Sequence, residues 1–126
     1  MVILDANMIL RFLIMDNKEM AFEVREIIRN DSVLILPEVL AEVIYVMTKV
    51  YRIDRARVAE GITVFLNYPD VKTEKTDVVK KGVEYYGRTS LDFIDCLLCA
   101  YQTVTGQRIC TFDKKLNNFI KRESQN

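Results

Sequence analysis

The chain has 126 residues, half of them hydrophobic, and its 18 lysine and arginine residues balance 18 aspartate and glutamate residues. This length suits one domain with a substantial core, and the composition excludes intrinsic disorder. Because the formal net charge is zero, a nucleic-acid partner would have to bind a local basic patch. No uncharged run is long enough to span a bilayer, and the apolar start lacks the basic segment of a signal peptide, so we expect a cytoplasmic protein.

The first half of the chain alternates short apolar runs with helical patterns. Asn17 and Asp54 are expected N-caps, and Pro37 suits the first position of a helix. The predicted elements are a strand at 2–4, helices directly after it and at 18–30, a strand at 33–36, and helices at 37–51 and 54–66.

The second half continues this alternation, and Gly106 is a suitable residue to end a helix. Short apolar strands between helices predict a parallel sheet covered on both faces, in one α/β domain over residues 1–126. The predicted elements are a weaker strand at 71–73, helices at 76–87 and from Thr89 onward, a strand at 109–112, and a basic helix at 114–121.

Three cysteines and no histidine narrow the possible chemistry. Cys96 and Cys99 have C-x-x-C spacing, but they lie in an apolar predicted helix, and only Cys110 could join them at a zinc ion. We therefore expect buried free thiols rather than a metal or redox site. Without an imidazole, hydrolysis would have to use carboxylates, whose oxygens favour hard cations such as Mg²⁺ or Mn²⁺.

Two aspartates, Asp5 and Asp113, each follow a predicted strand. All-parallel strands would bring both to one edge of the sheet, where α/β domains bind ligands. The alternative is that each caps the helix that follows it. Glu42 lies within the helix that begins at Pro37, where it is either a ligand or, like Glu38, part of a solvated face.

Asp92 and Asp95 lie on one face of a helix whose composition is otherwise typical of a core. The segment Thr89-Ser-Leu-Asp92 matches a capping box, which predicts Asp92 at the third helical position. Asp95 would then lie one turn further in, among apolar residues, where an unpaired charge is costly. We therefore expect a metal ion or a cationic partner beside Asp95.

Four segments in order, VILDAN, LAEVIY, LDFIDCLLCAY and GQRICTFD, resemble a PIN-domain ribonuclease and, more narrowly, a VapC-type toxin. The resemblance covers essentially the whole chain. It implies a three-layer αβα sandwich with a short parallel central sheet. It also implies hydrolysis of RNA phosphodiester bonds that depends on Mg²⁺ or Mn²⁺.

Carried over by position, the resemblance implies that four acids form the catalytic, metal-binding set: Asp5, Glu42, Asp95 and Asp113. Many members carry a further acid one turn before the third, and here it is Asp92. Asn7 and Thr111 match polar positions that would orient ligands. The family likeness also implies a small antitoxin that masks the acidic pocket, and a homodimer.

An acidic pocket repels RNA, so basic residues must hold the strand. Lys114 and Lys115 directly follow Asp113 and are the first candidates, with Arg11 a further one. For each of them the alternative is an ordinary solvated charge.

Two other functions remain open at this point, and a third, the response-regulator receiver, is excluded. A phosphatase of the haloacid-dehalogenase type would use Asp5 as nucleophile, but it needs a second aspartate where this chain has Asn7. A response-regulator receiver needs an acidic pair that is absent. A non-catalytic module would use the acids to bind a basic partner, and neutralising one acid would then abolish no metal-dependent activity.

Overall fold

The computed structural model describes residues 1–124. Three short parallel strands form its sheet in the order β1-β2-β3, namely β1 (Val2–Ile3), β2 (Val33–Ile35) and β3 (Val71–Thr73). Val33 pairs with Val2 on one side and with Val71 on the other. Since all three strands run the same way, their carboxyl ends lie at one edge of the sheet.

Helices surround this sheet in the predicted three-layer αβα sandwich, and the α/β fold class is confirmed. None of the described helices has the length and apolar character needed to cross a membrane. Within residues 1–124 the helices are α1 (Ala6–Ile14), α2 (Lys18–Asn30), α3 (Pro37–Lys49), α4 (Arg55–Leu66), α5 (Thr76–Arg88), α6 (Phe93–Thr105) and α7 (Lys114–Ser124).

Local signals explain several of these boundaries. The Asn17 side chain accepts a hydrogen bond from the Met20 N–H at 3.0 Å and so caps α2, as predicted. Pro37 is the first residue of α3. Gly106 ends α6 with a φ of 78°, a left-handed conformation that glycine adopts without steric cost.

Nearly all of the buried hydrophobic side chains form one contiguous cluster that includes residues of β2 and β3, and the partly buried Val2 of β1 packs against it. Cys96 and Cys99 are buried within it and free, as predicted, and burial raises the pKa of the Cys96 thiol to about 11. No polar or charged residue of the described chain is fully buried. Every acid of the candidate site is therefore accessible to solvent to some degree.

Close helix packing holds α5 against its two neighbours. A Cβ atom added at Gly82 would lie 2.9 Å from the Leu97 side chain of α6. One added at Gly87 would lie 2.7 Å from the Ala59 Cβ of α4. Both glycines therefore allow approaches that a larger residue would prevent, and the first fixes α6, the helix that carries Asp95.

The strand predicted at 109–112 is wrong. The segment is irregular, and its first backbone donor binds a side chain instead of a neighbouring strand: the Ile109 N–H donates to Gln102 Oε1 at 3.1 Å. Cys110 and Phe112 are exposed, so alternate side chains of the segment face solvent and gain nothing from packing.

The capping box predicted at Thr89 is also wrong. The Thr89 hydroxyl donates to the Tyr85 carbonyl at 2.8 Å and accepts from the Leu91 N–H at 3.3 Å, so this residue closes α5 instead of opening α6. Helix α6 starts at Phe93, with Asp92 as its N-cap residue. Asp95 is consequently in the first turn of the helix, not a turn deeper.

Candidate active site

Asp5 lies directly beyond the first strand, at the N-terminus of α1. Its backbone is extended, and its Oδ1 accepts a hydrogen bond from the Met8 N–H at 2.9 Å. Its other carboxylate oxygen makes no hydrogen bond with the described residues. Asp5 therefore does cap its helix, and the cap orients a carboxylate that still has a free oxygen.

Asp113 has the same arrangement at the start of α7. Its Oδ1 accepts from the Leu116 N–H at 2.9 Å, and its own N–H donates to the Thr111 hydroxyl at 3.1 Å. The Asn117 side chain donates to the Thr111 carbonyl at 2.8 Å. These bonds fix the backbone and the carboxylate of Asp113 together, and they give Thr111 a structural role beside this acid.

Asp95, in the first turn of α6, lies close enough to Asp113 and to Asp92 for both of their charges to act on it. The pKa of Asp95 is raised above the ordinary aspartate value, first by burial, then by the negative charge of Asp113 and then by that of Asp92. Asp92 is exposed, and its side chain forms no capping bond. The negative charges of Asp113 and Asp92 thus both act on Asp95, and these three acids are called the acidic cluster below.

Arg55 holds the turn that precedes Asp92. Its guanidinium donates to the Leu91 carbonyl and, at 3.2 Å, to the Tyr86 carbonyl, and it lies 3.7 Å from the centre of the Tyr86 ring. No motif in the sequence singles out this residue. The sequence nevertheless contained an indication. A basic residue in the first turn of a helix interacts unfavourably with the helix dipole, so its presence there suggests that it makes a compensating contact elsewhere.

Glu42 is exposed on α3 and forms neither a hydrogen bond nor an ion pair with the described residues. Helix α3 starts directly beyond β2, the strand that neighbours β1, and it packs against α1 and α6. Asn7 is exposed in the first turn of α1. The topology therefore brings the helices of Glu42, Asn7 and Asp5 to the carboxyl edge of the sheet.

None of the five candidate acids forms a salt bridge within residues 1–124. As the side chains stand, no three metal-ligating residues of this described part converge to hold an ion. The donor chemistry nevertheless fits a hard divalent cation, because carboxylate oxygens without cationic partners are what such ions bind. The candidate acids therefore have the chemistry to bind a divalent cation, but their side chains are not already arranged around one position.

The candidate RNA-binding residues differ in whether their positive charges are already paired with an acidic side chain. Lys114 and Lys115 are exposed at the start of α7, and Lys115 Nζ donates to the Ser90 carbonyl at 3.3 Å. Arg11 instead forms an ion pair with Asp16 at 2.8 Å and donates to the Tyr51 hydroxyl. The two lysines therefore offer more free positive charge beside the acids than Arg11 does.

A groove of about 920 Å³ lies between α1, α2 and α4. Its lining includes the apolar residues Phe12, Phe22 and Val64 and the basic residues Arg25 and Arg29, and it contains none of the candidate acids. This groove is therefore distinct from the acidic cluster.

The fold defines the class of protein: an α/β domain with a three-stranded parallel sheet and with Asp5 beyond its first strand. The PIN-domain family model matches residues 2–121, and the chain belongs to the PIN-domain family. PIN domains are generally metal-dependent nucleases that bind RNA. Searches of curated proteins and of solved structures each gave no match.

Proposed function

We propose that this PIN domain is an endoribonuclease that depends on Mg²⁺ or Mn²⁺. Asp5, Asp95 and Asp113 would hold the cation, assisted by Glu42 and Asp92. The observation that carries the proposal is the gathering of Asp92, Asp95 and Asp113 without a cationic partner among residues 1–124. Grouped carboxylates repel one another, and a divalent cation relieves that repulsion.

The residues around the cluster have defined tasks in this proposal. Helix N–H groups orient the carboxylates of Asp5 and Asp113, and Thr111 holds the backbone of Asp113. Lys114 and Lys115 attract the phosphates that an acidic pocket would otherwise repel. When bound, the cation supplies Lewis acidity and offsets the charge of the scissile phosphate.

The further proposal is that the chain is the VapC-like toxin of a toxin–antitoxin pair and acts in the cytoplasm as a homodimer. The four ordered acidic motifs support it. A small antitoxin that masks the acidic cluster is the proposed protein partner. The separate groove between α1, α2 and α4 would bind another part of it, because the apolar lining and the arginines suit a segment with apolar and acidic side chains.

One observation favours a second candidate, the non-catalytic module that binds a basic partner. The acids of the described chain do not converge as a preformed chelate. The haloacid-dehalogenase alternative has no such support, because Asn7 stands where that chemistry needs an acid and the chain belongs to the PIN family.

Controlled expression in bacteria separates the toxin proposal from the module. Wild type should stop growth and degrade RNA, while Asp95→Asn should do neither at equal protein levels. Glu38→Gln, which changes an exposed acid on α3, is the matched control and should remain toxic. Growth arrest by Asp95→Asn equal to that by wild type would contradict the catalytic toxin.

A further inference from the structure

Phe112 is the most exposed large hydrophobic residue of the described chain, at 104% of its reference surface. An exposed aromatic ring forgoes the stabilisation that burial would give. The residue lies in the segment predicted to be a strand, which the structure shows to be irregular. Its place next to Asp113 makes this exposure informative.

The backbone on both sides of Phe112 is fixed. The N–H of Asp113 donates to the Thr111 hydroxyl at 3.1 Å, and the Asn117 amide donates to the Thr111 carbonyl at 2.8 Å. Asp113 is in turn bound to the first turn of α7. The fold therefore presents the ring on a constrained bend, which limits the entropy that a ligand contact would cost.

The neighbours of Phe112 suit a nucleic-acid strand. Asp113 precedes Lys114 and Lys115, whose exposed ammonium groups attract phosphates. A flat exposed ring beside such charges is the usual platform for an unpaired base, because every base has a face that can stack. Ile94, next to Asp95, is half exposed and adds apolar surface at the start of α6.

We propose that the Phe112 ring stacks on an unpaired base of single-stranded RNA next to the phosphate bound at the acidic cluster. This inference rests on the proposed ribonuclease function and adds a binding residue to it. Phe112 would increase affinity for single-stranded RNA, and paired RNA would bind less well because its bases are already stacked.

The absence of tryptophan from the sequence allows a direct test. Phe112→Trp introduces a single indole, and a short oligouridylate in Ca²⁺ is the probe. Stacking should quench the indole fluorescence as the RNA binds. Phe22→Trp is the matched control, because Phe22 is an exposed aromatic residue of α2 in the groove away from the acids, and its fluorescence should stay constant.

Affinity measurements complete the test. Phe112→Ala should weaken binding of labelled oligouridylate on the order of tenfold, and Phe112→Tyr should restore it. In cleavage assays Phe112→Ala should raise KM with little change in kcat. A purely structural role would instead lower the melting temperature of the alanine variant and leave RNA affinity unchanged.

The possible failures can be told apart. Binding of RNA to Phe112→Trp without quenching of its fluorescence would overturn the stacking proposal alone. The same holds if the indole emission shifts with protein concentration before RNA is added, because such a shift indicates self-association through this residue. Absence of cleavage by wild type in Mn²⁺ would overturn the proposed function, while quenching of Phe112→Trp by RNA in Ca²⁺ would still support stacking.

Discussion

Asp95 at the start of α6 and Asp113 at the start of α7 are electrostatically coupled. The pKa of Asp95 is raised first by burial and then by the charge of Asp113, with a further contribution from Asp92. No salt bridge of the described chain relieves this charge. A divalent cation bound beside Asp95 would relieve it.

Neutralising Asp95 should stabilise the metal-free protein at neutral pH. Since the folded-state pKa is raised, the contribution of Asp95 to stability is present below its unfolded pKa and is lost as pH rises through the folded pKa. Asp95→Asn should therefore raise the melting temperature in EDTA at pH 7 by roughly 1–3 °C, and the gain should vanish towards pH 4.

Binding of a divalent cation should reverse the order of the two melting temperatures, so that wild type becomes more stable than Asp95→Asn. Mg²⁺ or Mn²⁺ should raise the melting temperature of wild type by binding the folded state, and it should have much less effect on Asp95→Asn. Thermal unfolding with and without EDTA measures both effects. Equal metal-induced shifts in the two proteins would contradict the assignment of Asp95 as a ligand.

Capping and catalysis can be separated at Asp113. Asparagine is as good an N-cap as aspartate, so Asp113→Asn should keep the stability of the protein and lose its cleavage activity. Asp113→Ala should lose activity as well and cost about 1 kcal/mol in the free energy of unfolding. Urea unfolding and RNA cleavage measured on both variants check this, and an active Asp113→Asn would reduce Asp113 to a cap.

Arg55 should stabilise the turn before the acidic cluster. Arg55→Ala removes a charged donor from the Leu91 and Tyr86 carbonyls and should cost about 2 kcal/mol in the free energy of unfolding. Arg57→Ala, an exposed arginine on the same helix, should change that free energy by less than about 0.5 kcal/mol. Similar values for the two variants would show that the contacts of Arg55 contribute little.

Close packing between α4 and α5 should make Gly87 intolerant of a side chain. Gly87→Ala places a Cβ 2.7 Å from that of Ala59 and should destabilise the protein by about 1–3 kcal/mol. Gly61→Ala meets no atom within 4 Å and should instead stabilise α4 by about 0.5–1 kcal/mol. Urea denaturation distinguishes the opposite signs.

The elements that could be predicted were those with strong local signals. The hydrophobic runs of β1 and β2, the N-cap at Asn17 and the glycine at 106 are each recognisable from the local sequence, whereas β3 has a weaker pattern. Residues 109–112 have the pattern of a strand, yet no strand of the described sheet pairs with them. Strand pairing requires a partner strand from a distant part of the sequence, and the local pattern carries no information about that partner.

The same contrast between local signals and tertiary packing applies to the candidate site. The order of the acids predicts the set Asp5, Glu42, Asp95 and Asp113, and that set stays a prediction; in the structure the charges of Asp113 and Asp92 act on Asp95. The capping box misplaced the start of α6 because Thr89 bonds back to Tyr85 of α5. The local pattern at Thr89 suits either helix, and only the packed structure decides between them.

The most direct test of the central claim is Mn²⁺-dependent cleavage of a defined single-stranded RNA by purified protein. Wild type should cleave it and EDTA should stop the reaction. Asp95→Asn should be slower by more than about 100-fold while remaining folded, and Glu38→Gln should match wild type. Cleavage by Asp95→Asn at the wild-type rate, or a wild-type rate unaffected by EDTA, would contradict a carboxylate-bound metal centre.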